Sequence, residues 1–375
     1  MSTYSHTELQ YRIALTMTPD IGPVIARKLL SRAGSAREVF RMSRGTLEKI
    51  PSIGPYLSQS IQKSALLERA EKEILFLEKH HISPLYFEDE NYPKRLKECV
   101  DAPILLYARG DQGLHTRRAL SVVGTRRASS YGKELCRNIV LELGELISDL
   151  VIISGLAYGI DVIAHRAALE GKIPTVAVLG HGLDTIYPHA HRETAKKICR
   201  QGALLTDFHS GMSPERNNFL RRNRIIAGLA DATLVVESAK QGGSLITANM
   251  AFTYQREVLA VPGRTTDERS KGCNRLIKKN VAAMVESALD VIDHLNWRED
   301  VARGSLHLSE ENSFTLQEKQ LLELLTMHSG LRPEELCELS GIAIQVVLAR
   351  LTEMELKRWV FVEPGMLYQT RIHIP

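Results

Sequence analysis

Between residues 120 and 261, short apolar runs alternate with amphipathic stretches. Residues 120–124, 151–154, 175–179, 203–206, 232–237 and 257–261 are nearly unbroken in valine, leucine, isoleucine and alanine. That pattern suits strands buried on both faces. Residues 133–147, 160–170 and 189–200 carry apolar positions at helical spacing. Strands alternating with helices predict an α/β fold with a doubly wound, mostly parallel sheet over 81–297. Ligands of such sheets bind at the carboxyl ends of the strands.

The flanks follow other patterns. Residues 1–80 read as all-helical, with an echo between 19–30 (PDIGPVIARKLL) and 50–61 (IPSIGPYLSQSI). Each has Ile-Gly-Pro before a helix, which resembles a helix-hairpin-helix repeat of the sterile-alpha-motif-like kind. Gly22 and Gly54 either admit a phosphate to backbone amides or turn the chain between packed helices. Residues 298–313 are polar and read as a linker. From 314 to 375 the pattern predicts helices at 316–327, 332–339 and 343–356, then a hairpin over 359–368 turning at Pro364-Gly365. Three helices followed by a wing is the winged-helix order.

Length and composition narrow the class. A chain of 375 residues has room for two or three domains, and 44% apolar with 25% charged residues is ordinary for a soluble protein. The net charge of +4 is too small to argue for nucleic acid, so a local basic stripe carries that question. Four arginines and one glutamate fall between Ser213 and Arg224. Five scattered cysteines without a Cys-x-x-Cys pair predict neither zinc nor a disulfide framework. No secretory leader or membrane-length apolar run is legible, so a cytoplasmic protein without a membrane partner is expected.

Four strand-end loops hold the candidate chemistry. Gly124–Gly132 (GTRRASSYG) sets Arg126 and Arg127, forked donors suited to phosphate, beside Ser129 and Ser130. Ser154–Asp161 (SGLAYGID) is small and departs from a dinucleotide fingerprint. Ser213–Arg224 (SPERNNFLRRNR) combines arginines with Phe219, the pairing that holds a single strand by its phosphates and a stacked base. Arg222 and Arg224 point differently on a helix, so one faces the ligand and the other forms an internal ion pair. Lys240–Ala251 (KQGGSLITANMA) places Gly242, Gly243 and Ser244 as an anion cradle opening a helix. Alternatively, these glycines make a plain strand-to-helix turn.

The remaining chemistry is sparse. There is no Walker-type phosphate loop and no His-Glu-x-x-His. His181, Asp184, His189, His191, Asp207 and His209 cluster along the chain, but His189 and His191 are two apart, poor spacing for joint ligation from a helix. No metal, cofactor or catalytic residue is expected. The loops offer donors and no base, which suits binding.

The succession SVVGTRRASSYG, SGLAYGID, FLRRNRIIAGLADATLVVES, GGSLITANMA, VPG and GCNRLI, spanning 120–277, resembles the DNA-processing protein A (DprA/Smf) family. The flanking segments fit some members. The resemblance implies an extended Rossmann-like core between a helix-hairpin-helix domain (1–80) and a winged-helix domain (314–375). It implies a non-enzymatic, single-stranded-DNA-binding homodimer that loads the RecA recombinase in natural transformation, against single-strand-binding protein. Carried over position by position, the DNA contacts are Gly124, Thr125 and Arg126, with Arg127 beside them. They continue through Arg216, Phe219, Arg222, Asn223 and Arg224, then Gly243, Ser244, Leu245 and Asn249. Leu220 stands where many members have proline. Residues 276–285 match the family's dimer region. Two alternatives stand beside this reading. One is a nucleotide-processing enzyme of the phosphoribohydrolase kind. The other is a duplex-DNA regulator acting through the winged helix.

Overall fold

The computed structural model describes residues 6–61, 64–110, 112–298, 315–328, 330–357, 359–363 and 365–370. Most of the expected linker, together with Phe314 and Pro364, lies outside the described residues. The chain divides into two compact units, one of residues 1–144 and 149–295, the other of 145–148 and 296–375.

The larger unit is built on a sheet of nine strands. These are β1 (Ser83–Tyr86), β2 (Leu105–Arg109), β3 (Arg118–Val123), β4 (Leu150–Ser154), β5 (Thr175–Val178), β6 (Ala203–Thr206), β7 (Ala232–Val235), β8 (Glu257–Ala260) and β9 (Ala283–Met284). Their spatial order is β1-β2-β6-β5-β4-β3-β7-β8-β9. From β6 to β9 all pairs are parallel, whereas β2 runs antiparallel to β6 and β1 antiparallel to β2. The fold is therefore α/β with a mostly parallel sheet. The six strands expected from apolar runs are present, with ends shifted by up to two residues. β1, β2 and β9 were not expected; each is an added strand at or next to an edge, outside the strand-helix alternation. Progression along the sheet reverses between β3 and β7, which makes their carboxyl ends the topological switch point.

Alternation along the strands feeds two cores. Leu106, Ala108, Val151, Ile153, Val176, Val178 and Leu205 face one, shared with Ile225, Ile226 and Leu229 of α11 (Arg216–Leu229) and Ala248 of α12 (Gly243–Thr253). Leu105, Tyr107, Ala177 and Leu204 face the other. That second core continues into the amino-terminal helices α1 (His6–Met17), α2 (Pro23–Ala33), α3 (Ala36–Arg41), α4 (Arg44–Leu47), α5 (Pro55–Ile61) and α6 (Ser64–Lys79). Polar contacts join them too: Glu73 of α6 accepts the Ser210 amide at 2.8 Å and its hydroxyl at 2.5 Å. The two Ile-Gly-Pro turns open α2 and α5, and a Cβ at Gly22 or Gly54 would meet open space.

Past β1, the sheet is wrapped by α7 (Lys94–Lys97), α8 (Ser130–Leu146), α9 (Ile160–Glu170), α10 (Arg192–Gln201), α11, α12, α13 (Lys271–Lys278) and α14 (Ala288–His294). The smaller unit holds helices Leu316–Met327, Pro333–Ser340 and Ile344–Leu356 and a hairpin of strands Val360–Glu363 and Leu367–Thr370. Leu321, Leu325, Leu336, Val347, Leu351 and Trp359 form its core. The Thr315 hydroxyl and Glu318 carboxylate cap the first helix reciprocally.

Candidate nucleic-acid interface

The loops at the switch point are tied together by backbone and side chain. The Thr125 amide donates to the Glu237 carbonyl at 2.8 Å, which fixes the loop after β3 to the loop after β7. Gly159 (φ +78°) lies against this loop: a Cβ there would come within 2.1 Å of the Thr125 carbonyl oxygen. The Glu237 carboxylate is buried and accepts the Ser129 amide at 2.9 Å and the Ser129 hydroxyl. Gly132 leaves the space that this carboxylate fills. Ser129 also caps α8, accepting the Gly132 amide at 3.0 Å. The small residues of the first two loops thus set a rigid shelf from which Arg126 and Arg127 stand exposed.

Phe219 occupies the middle of the rim. It is half-buried in the first turn of α11, and Gly180 after β5 admits it, since a Cβ there would lie 2.8 Å from the ring. The Arg126 guanidinium lies 5.8 Å from the Phe219 centroid, and Tyr187 packs against the same ring at 5.6 Å between centroids. Tyr187 is 45% exposed. Sequence reading missed it because it sits in a loop with no periodic pattern around it.

The arginines of the basic stretch behave otherwise. The sequence was read as a strand-end loop over 213–224; instead the helix starts at Arg216 and carries the stretch inward. Arg222 is 4% exposed. Its Nη1 donates to the Gly155 carbonyl at 2.7 Å and to the Val178 carbonyl. Gly155 is required here, because a Cβ would stand 2.2 Å from that nitrogen. Arg224 is 7% exposed and binds the Asp207 carboxylate and the Asp101 carbonyl. The sequence expectation that one of the two faces a ligand is corrected: both guanidiniums are committed inside the fold. The reason is the apolar run Ile225–Leu229 that follows. Seating that run against the sheet turns the preceding helical turn inward too. Asn223 is buried with them, while Arg216 and Arg221 remain exposed.

The third edge of the rim is the start of α12. Gly243 is exposed at its first turn. Ser244 is buried, and its hydroxyl donates to the Ser238 hydroxyl at 3.0 Å instead of facing outward. Leu245 packs on the main core, and Asn249 is exposed about 9 Å along the helix from Gly243. Ser238 follows Glu237, so contacts run from Ser244 through Ser238, Glu237 and Thr125 to Arg126, Phe219 and Arg222. Arg126, Arg222 and Ser244 therefore belong to one connected rim, although only Arg126 of the three presents its side chain to solvent.

Beneath the rim lies a buried polar layer. Burial pushes the Asp161 carboxyl above the usual range, opposed by the Arg222 charge and by amides of Ala157 and Gly155. Burial lowers Arg222 to about 10, with Asp161 opposing, so the guanidinium stays charged at neutral pH. His165 is fully buried; burial, reinforced by the Arg222 charge, lowers it to about 3. Its Nδ1 lies 2.7 Å from the Thr175 hydroxyl, which itself donates to the Ile152 carbonyl. The histidines that cluster along the sequence, of which His165 is not one, do not converge on a metal site. The His181 and His191 rings contact the Gly182 and Leu156 carbonyls. Among the described residues no group of three or more His, Cys, Asp or Glu is placed to hold a metal ion.

The family described as DNA recombination-mediator protein A matches residues 83–296. The chain belongs to this family. The DprA winged helix domain matches residues 310–366. Protein Smf of Escherichia coli K12 is 36% identical over 304 residues, covering 79% of each chain. The crystal structure of DNA processing protein A from Streptococcus pneumoniae aligns with a TM-score of 0.61 at 30% identity, covering 76% of this chain and 97% of that one. A structure of the Helicobacter pylori protein, described for its single-stranded DNA binding mode, aligns with a TM-score of 0.52 at 30% identity over 58% of this chain and 96% of that one. Among the described residues no helix is long and apolar enough to cross a membrane.

Proposed function

We propose that this DprA/Smf-family chain binds single-stranded DNA along the rim at the carboxyl ends of β3, β5 and β7, and hands it to the RecA recombinase in DNA recombination and natural transformation. The observation that carries the reading is the exposed Arg126 guanidinium 5.8 Å from the half-buried Phe219 ring, a phosphate donor beside a stacking face. Arg127, Arg216 and Gly243 extend the contact surface, and Gly124 and Thr125 shape it. Arg222, Asn223, Arg224 and Ser244 act from beneath, holding the rim in place. The chain works as a binder in the cytoplasm, against single-strand-binding protein, and no catalysis is assigned. The rim carboxylates support this, since Glu237 is spent on Ser129 and Asp161 is buried beside Arg222. Homodimer formation is assigned to the β9 edge, where Met284 is 56% exposed. The domain limits proposed remain 1–80, 81–297 and 314–375.

The test is a titration of fluorescent single-stranded and duplex oligomers of equal length. Preferential single-strand binding that weakens with salt, at a slope of about 0.7 per phosphate contact, is expected. Salt-independent binding, or a preference for duplex that vanishes on deleting residues 310–375, sinks the proposal. The third winged-helix helix gives the duplex reading little support. It exposes Gln345, Leu348, Thr352 and Glu355, and Arg350 is paired to Glu353 at 2.7 Å. The enzyme reading finds no acid on α12, whose sequence is GSLITANMAFT.

A further inference from the structure

A line of positive charge leads away from the rim along α10. Arg192, Lys196 and Arg200 are four residues apart and so share one side of the helix. With Arg109 at the end of β2 and His189 just before α10, they line an open cavity of about 530 Å³. The helix is anchored by Ala195, which floors part of the cavity, and by Ile198, both buried in the core shared with the amino-terminal helices. Among the described residues Arg109, Arg192 and Arg200 have no ion pair, and Lys196 meets only the exposed Glu193 at 2.7 Å. Asp184 is the sole carboxylate in the lining, and its Oδ1 already accepts the Gly211 amide at 3.0 Å. The cavity therefore gathers three arginines that have no ion pair among the described residues.

Part of its lining adjoins the aromatic centre of the rim along the chain. Asp184 and Ile186 line the cavity, and the next residue, Tyr187, packs on Phe219. We propose that this cavity is a second phosphate-binding track, which takes the sugar-phosphate backbone of a single strand after it passes Phe219 and Tyr187. From Arg192 to Arg200 the track runs about 12 Å along the helix. The inference deepens the rim reading and rests on it. A short strand occupies the rim alone. A longer one reaches α10 as well, so affinity and salt dependence grow with length beyond what the rim supplies.

The experiment compares oligothymidylates of about 6 and about 20 nucleotides, one near the short end of common single-strand site sizes and one beyond the long end. The proteins are the full-length chain, Arg126→Ala, the pair Arg192→Ala/Arg200→Ala, and the charge-keeping pair Arg192→Lys/Arg200→Lys. For the alanine pair, binding of the long strand is expected to weaken roughly tenfold, with a salt slope smaller by about 1.4 for two lost contacts. Short-strand binding stays within twofold, and the lysine pair recovers most of the long-strand affinity. Arg126→Ala weakens both lengths. Unchanged long-strand affinity and slope in the alanine pair, with Arg126→Ala still defective, overturns the α10 track and leaves the rim standing. Unchanged binding of both lengths by Arg126→Ala overturns the rim reading and, with it, the track. Equal loss on short and long strands in the alanine pair also overturns the track, because it shows damage to the rim.

Discussion

Two arginine pairs in this chain share a chemistry and have opposite fates. Arg126 and Arg127 follow a strand end in a loop pinned at Thr125 and Ser129, and both guanidiniums stand in solvent. Arg222 and Arg224 sit in a helix whose next turns are core, and both are buried on carbonyls and carboxylates. The first pair can meet a phosphate. The second ties α11 to the ends of β4, β5 and β6, beside the loop that presents the first. Two arginine-rich motifs thus hold one exposed pair and one buried pair, and burial tells them apart.

The sharpest way to break this contrast is Arg222→Ala. It strips Asp161 of its neighbouring cation and leaves the Gly155 and Val178 carbonyls without their donor. Removing one partner of a buried charged contact costs about 3–5 kcal/mol. At roughly 2–4 °C per kcal/mol, the thermal midpoint should fall by about 10 °C. A variant that melts like the parent yet loses DNA binding makes Arg222 a direct contact and reverses the assignment.

The next effect is on pH. His165 beside Arg222 is lowered to about 3 by burial, so the unfolded chain takes up its proton first. Stability from this group is complete above the unfolded value near 6.5 and is lost as pH falls toward the folded value. Between pH 7 and pH 5 the loss is about 2 kcal/mol. Urea unfolding at both values measures it, and His165→Asn should flatten the difference. An unchanged pH dependence in that variant places the acid sensitivity elsewhere.

Smaller effects belong to the exposed side. Phe219→Ala should weaken single-strand binding by about 1–3 kcal/mol if a base stacks there. Phe219→Tyr, which keeps the ring, should restore most of it. Arg126→Ala is expected to leave the melting temperature within a degree or two and to lower the salt slope by about 0.7. A large drop in melting temperature in that variant would make Arg126 a support as well and erase the contrast.

The legible parts of the sequence were those where local pattern and tertiary role coincide. Central strands announce themselves because both faces are buried, so most residues are apolar and the few buried polar ones are small hydroxyls such as Ser121, Ser154, Thr175, Thr206 and Thr233. β1, β2 and β9 escaped: β1 and β9 are short edges without an apolar run of their own, and the apolar run at 104–108 that makes β2 lies outside the strand-helix alternation. The strand-end loops were legible from glycines, and Gly124, Gly132 and Gly159 do mark close approaches. Tyr187 was not, since its importance comes from a ring contributed by a distant helix.

What the chain determines alone is the alternation of buried strands and helices, the small residues at the turns, and a stock of arginines close to an aromatic ring. Those properties follow from hydrophobic periodicity and backbone sterics, which act over a few residues. Which arginines face water was settled only by tertiary packing. The orientation of α11 is fixed by the apolar residues it must bury against the sheet, and the guanidiniums on that helix go where that rotation takes them.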